Sequence, residues 1–205
     1  MDRRTTLKWV LAASAAWPLL RHRDARAYAS PTARGYGTDP NLTVNYHAGQ
    51  LWPLTLTAAQ RRLAGILSDI IIPADEDSVS ASAAGVVDFI DEWVSAPYPE
   101  FERDRGRVLG GFYWLDSEAQ RRFGQDFTAV NPAGQMSLCD DICDLARVGT
   151  GLREAAQFFA LYRDLTAGGF YSSPIGRADL KFIGNVPLQS FDGPPPELLK
   201  KLGLS

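Results

Sequence analysis

The sequence predicts a mostly all-α protein: an irregular helical bundle with an extended N-terminal arm and an irregular, proline-rich C-terminal tail. Three observations lead there. Helix-start signals stand at Thr57, Ser117 and Asn131. Between them, apolar residues recur at spacings of three and four. No sustained period-two segment with turn spacing, which a sheet would need, runs through the chain.

The first 29 residues read as an export leader rather than as part of the fold. Arg3 and Arg4, followed by Leu7 and Lys8, resemble a twin-arginine signal, with Thr6 where an apolar residue is usual. Residues 9–20 are modestly apolar and too short to span a bilayer, which takes about 20 residues. Small-x-small cleavage sites follow at Ala25-Arg26-Ala27 and Ala27-Tyr28-Ala29. Of 21 Lys+Arg and 24 Asp+Glu in the whole chain, the leader holds six and two. The 176 residues after it therefore carry 15 against 22, a net charge of −7. Such a surface repels phosphate backbones and has no basic cluster, so nucleic acid is excluded as a partner.

Residues 30–54 are rich in Gly, Pro, Thr, Asn and Tyr, without periodicity, and read as an extended arm. They hold His47, the one histidine left after the leader. The helical domain spans 55–205. Thr57-Ala58-Ala59-Gln60 is a capping box, and the helix it opens places Leu63, Ile66, Leu67 and Ile70 on one face before stopping at Pro73. Asp75-Glu76-Asp77 has neither the frame nor the final glutamate of a calcium loop and reads as solvated. A second amphipathic helix covers 83–96, through Val86, Phe89, Ile90, Trp93 and Val94.

After Pro97-Tyr98-Pro99, a charged segment runs into Gly110-Gly111-Phe112-Tyr113-Trp114, where the glycine pair permits close approach of another element. Ser117-Glu118-Ala119-Gln120 is a further capping box and predicts a separate short helix ending near Gly124. Asn131 with Pro132 opens a helix carrying Met136, Leu138, Ile142 and Leu145 and ending near Gly149. The last long helix is predicted over 152–167, stopped by Gly168-Gly169 and followed at once by Phe170, Tyr171 and a Ser-Ser-Pro turn. A glycine-stopped helix followed by aromatics can be a packing corner, a ligand pocket or a docking surface. Beyond it, Pro194-Pro195-Pro196 favours an extended conformation.

No set of residues assembles into recognisable chemistry. Gly149-Thr150-Gly151 has Glu154 where a nucleotide fingerprint needs its third glycine, and a helix rather than a strand precedes it. A serine triad would have only His47 as its base. There is no Glu-x-x-His pair for a two-iron bundle and no Cys-x-x-Cys-His for haem attachment. The carboxylate groups Asp88/Asp91/Glu92 and Asp140/Asp141/Asp144 read as solvated helix faces. Cys139 and Cys143 lie four apart on one predicted helix. Three readings of them stay open: small core residues, an internal disulfide, or a bond from one of them to a partner.

The order of features resembles one family. The leader is followed by Leu56-Thr57-Ala58-Ala59-Gln60, by Ile70-Ile71-Ile72-Pro73-Ala74-Asp75 and by Ala84-Gly85-Val86-Val87-Asp88-Phe89-Ile90-Asp91. Then come Phe158-Phe159 and Leu165-Thr166-Ala167-Gly168-Gly169-Phe170-Tyr171-Ser172-Ser173-Pro174. This is similar to the gluconate 2-dehydrogenase subunit 3 family, over roughly residues 55–190; Ile175–Asp179 departs from the family pattern.

The resemblance implies a small subunit with no catalytic residue, cofactor or metal of its own. A large FAD-dependent dehydrogenase subunit would oxidise a sugar or alcohol, and a multihaem cytochrome c subunit would carry the electrons away. The small subunit would fold with the flavoprotein and take it through the twin-arginine translocase to the periplasm, at the membrane through the complex. On that reading Phe158, Phe159, Tyr162, Phe170, Tyr171, Pro174 and Phe191 divide between core and docking face. The rivals are a self-contained exported helical hydrolase, with carboxylates converging near Phe112-Tyr113-Trp114, and an exported binding module.

Overall fold

The computed structural model describes residues 46–182, 184, 187, 189–190 and 193–204. The leader with Arg3, Arg4, Leu7 and Lys8, most of the arm, and Phe191 lie outside the described residues. The fold is helical, with no strand among the described residues. In chain order the helices are α1 (Ala58–Ile71), α2 (Val86–Ser95), α3 (Pro99–Phe123), α4 (Pro132–Asp140), α5 (Arg153–Ser172), α6 (Pro174–Asp179) and α7 (Pro196–Lys201). Helix α3 packs along α5, and α2 leans against both. Helix α1 closes the group over α2 and α5.

The Thr57 capping box forms as the sequence predicts: Thr57 Oγ1 accepts from Gln60 N–H, and Gln60 Oε1 accepts from Thr57 N–H. Helix α1 ends at Ile71, before Pro73. In the loop that follows, Asp75 Oδ1 accepts from the N–H groups of Asp77 and Ser78. Asp69 accepts from both the N–H and the hydroxyl of Ser82, which ties the loop back to α1. Helix α2 starts at Val86, three residues later than the pattern suggests.

The predicted break at Ser117 does not occur. Helix α3 is continuous over 25 residues and ends at Gly124 in the left-handed conformation. A capping serine needs extended backbone. Here the buried stripe Val108, Phe112, Leu115, Ala119 passes straight through the site and keeps it helical. Glu118 then does other work, pairing with Arg121 and Arg122 at 2.6 Å.

Helix α4 is capped by Asn131, whose side chain accepts from Gly134 N–H at 2.9 Å, but it stops at Asp140 rather than near Gly149. Two carboxylates help close the chain off: Asp141 pairs with Arg122, and Asp144 accepts from Ala146 N–H. Ile142 is still buried, whereas Met136 and Leu145 are exposed.

The glycine pair does not stop the last long helix either. Helix α5 runs through Gly168-Gly169 to Ser172. A Cβ on Gly169 would lie 2.7 Å from the Phe89 ring, so this glycine serves the α2–α5 approach rather than a turn. Gly111 does the same between α3 and α5, where a Cβ would fall 2.0 Å from Phe158. The tail also differs from expectation: Pro196 starts the short helix α7, which buries none of its side chains. Proline at a first helical position loses no hydrogen bond.

Candidate functional site

The centre of the molecule is aromatic. Phe112, Phe158 and Tyr162 meet edge-on or tilted at centroid separations of 5.7–6.0 Å. Tyr162 is fully buried; its hydroxyl donates to Ala64 O at 2.9 Å and stands 3.1 Å from Ser68 Oγ. Burial pushes its phenol up from the ordinary tyrosine range, so it is locked as a neutral hydrogen-bonding group.

Four of the predicted docking residues therefore belong to the core. Phe158 is 1% exposed, Phe159 6%, Tyr162 0% and Phe170 1%. Burying one such side chain contributes about 1.5–3 kcal/mol, so turning all four outward would consume most of the roughly 5–15 kcal/mol that holds a domain together. Tyr171 and Pro174 are exposed.

The corner that presents them is stiff. Ser173 ends α5 and begins α6: its hydroxyl donates to Phe170 O at 2.6 Å and accepts from Gly176 N–H at 3.0 Å. Gly176 is buried, and a Cβ there would lie 2.1 Å from Phe170 O. Helix α6 is closed by the Phe182 N–H reaching Arg177 O at 2.9 Å, with Lys181 in the left-handed conformation at φ 53°. Tyr171, Ile175, Leu180 and Phe182 are left exposed within twelve residues, the last two by 58% and 61%. Ile175, Leu180 and Phe182 are surface groups that the sequence did not single out. The signal for them was present only as apolar residues after Pro174, in a stretch with too few turns to show a face.

Most of the carboxylates that the sequence groups together bond to donors of this chain. Asp91 is not the solvated group its spacing suggested. It is fully buried, with Oδ2 2.7 Å from Arg61 Nη1 and Oδ1 accepting from two backbone N–H groups. Arg61 also pairs with Asp88, the largest influence raising its basicity. Glu92 accepts from Gly49 N–H, and burial is the main cause raising its carboxyl above the ordinary range. Near the Phe112-Tyr113-Trp114 run, Phe112 faces the core and Tyr113 faces solvent, while the carboxylate of Asp116 accepts from Phe127 N–H.

Cys139 and Cys143 are both free thiols and no longer share a helix, because α4 ends between them. Burial pushes the Cys139 thiol up to about 12, and Cys143 is exposed. His47 is exposed, with its backbone N–H on Gln50 Oε1. Among the described residues, no group of three or more His, Cys, Asp or Glu side chains could hold a metal ion, and no helix is long and apolar enough to cross a membrane.

The class defined by this geometry is a helical body with an aromatic centre, whose buried and half-buried carboxylates bond to groups of the same chain and whose α5–α6 corner carries four of its exposed large apolar residues. Residues 58–193 match the family described as gluconate 2-dehydrogenase subunit 3. The chain belongs to that family, and its description makes it a subunit of a gluconate 2-dehydrogenase complex. Neither a curated protein nor a solved structure gave a match.

Proposed function

We propose that the chain is the non-catalytic small subunit of a periplasmic FAD-dependent sugar or alcohol dehydrogenase of the glucose-methanol-choline type. In this reading FAD resides in the large subunit, haem c in a cytochrome subunit, and this chain supplies a folding partner and the export signal. The observation that carries the reading is the α5–α6 corner. Family membership makes the chain a subunit, and Tyr171, Ile175, Leu180 and Phe182 form an exposed apolar group on a rigid turn. Such a group suits a standing protein interface of about 1,600 Å² or more. The titratable groups best placed for chemistry, Asp91, Glu92 and Asp116, are all committed to backbone donors of this chain.

Arg3 and Arg4 supply the export half of the reading. Replacing both with lysine and fractionating cells should leave the flavoprotein and this chain together in the cytoplasm. A flavoprotein that still reaches the periplasm sinks the escort role.

A further inference from the structure

Residues 49–56 form neither helix nor strand, yet four of them, Gly49, Trp52, Thr55 and Leu56, donate to a single helix. Gly49 N–H donates to Glu92 Oε2 at 2.8 Å, and the Trp52 indole N–H to Glu92 O at 3.0 Å. Thr55 N–H is shared between Ser95 Oγ at 2.7 Å and Asp91 Oδ1 at 3.1 Å. Leu56 N–H donates to Asp91 Oδ1 at 3.0 Å. Every acceptor lies on α2, 35 to 43 positions further along the chain. Trp52 and Leu56 are buried, and the Trp52 ring meets Tyr98 edge-on at 6.2 Å.

We infer that residues 49–56 are a strap that closes over α2 once α1, α2 and α3 have packed, with Asp91 as its positioning residue. Three features carry this. Asp91 is 0% exposed, and its two oxygens divide the labour: Oδ2 is held by Arg61 of α1, and Oδ1 faces the strap backbone. Apart from the Trp52 indole, the donors are backbone N–H groups, so the acceptors fix the register of the strap irrespective of most of its side chains. Of the strap only Leu56 enters the core cluster, which is otherwise built mainly by α1, α2, α3 and α5 on one another, so the strap can open while they stay packed. Gly49 is consequently held at one fixed place, beside Glu92.

Amide hydrogen exchange on the full chain tests the strap. In the wild type, Thr55 and Leu56 should be protected but exchange faster than amides in the middle of α5. Asp91→Ala should cut protection at Thr55 and Leu56 by about tenfold or more, with α5 unchanged. Asp91→Asn, whose amide oxygen still accepts from both N–H groups, should restore most of it. If Asp91→Ala does not fold, Ser95→Ala serves instead: Thr55 protection should fall about threefold or more, and Leu56 should hold. The inference is overturned if either alanine variant leaves its amides unchanged. It is also overturned if the strap and α5 lose protection by the same factor, or if Asp91→Asn loses as much as Asp91→Ala.

Discussion

At Gly111 the backbone of α3 and the ring of Phe158 come so close that a methyl group would fall 2.0–2.3 Å from three ring carbons. Phe158 is itself packed against Phe112 and Tyr162 and has no free direction in which to move. Gly111→Ala should therefore destabilise the protein by about 1–3 kcal/mol, the usual range for overpacking a core. Gly168 is the contrasting case: it is exposed, mid-helix, and a Cβ there would meet nothing within 4 Å. Gly168→Ala should stabilise by roughly 0.5–1 kcal/mol, because only the excess freedom of the unfolded glycine is removed. Urea denaturation midpoints check both, and equal effects would refute the distinction. The sequence marked both glycine pairs as unusual, and it anticipated close approach at Gly110-Gly111. It took Gly168-Gly169 for a helix stop, since a glycine chosen for flexibility and one chosen for lacking a Cβ are the same letter. What separates them is Phe89, 80 residues earlier, lying against Gly169.

Among the elements, α3 shows how a local signal yields to packing. Glu118, the second residue of the apparent capping box, is drawn instead into pairs with Arg121 and Arg122, and Arg122 goes on to Asp141. The Arg121 hydrogen bond is the largest influence on Glu118 and holds its carboxyl below the ordinary range, with burial opposing it. A carboxylate with a depressed folded pKa adds stability that is present above its unfolded pKa and lost as pH falls through the folded one. Glu118→Gln should accordingly flatten the loss of stability on acidification below about pH 4.5 while changing little in shape near neutrality. Denaturation midpoints measured from pH 7 to pH 3 read this; an unchanged acid limb contradicts it. The helices with side-chain caps that the sequence shows, α1 and α4, began where the sequence placed them, because capping is a contact between neighbours. The end of α1 before Pro73 was legible too, whereas the end of α4 and the unbroken course of α3 go with Arg122–Asp141 and the face buried against α5, which no local window contains.

For the whole molecule, the split between buried and exposed aromatics decides what the chain can do. The sequence singled out the stretch 154–185 and offered corner, pocket or docking face for it. Helical spacing could not rank Phe158, Phe159, Tyr162 and Phe170 against Tyr171, because α5 is enclosed by α1, α2 and α3 over much of its girth and buries a wide face. The exposed apolar residues of this stretch, Tyr171, Ile175, Leu180 and Phe182, make the corner the proposed seat of the catalytic subunit. The most direct measurement is co-purification of a partner with the tagged chain, read by flavin absorbance, for the wild type and for an Ile175→Asp/Leu180→Asp variant whose helical circular dichroism is intact. The wild type should bring down an FAD-bearing subunit, and the variant should lose about tenfold or more of it. A wild-type chain that purifies without flavoprotein would contradict membership in such an assembly, and a variant that retains its flavin in full would place the interface elsewhere.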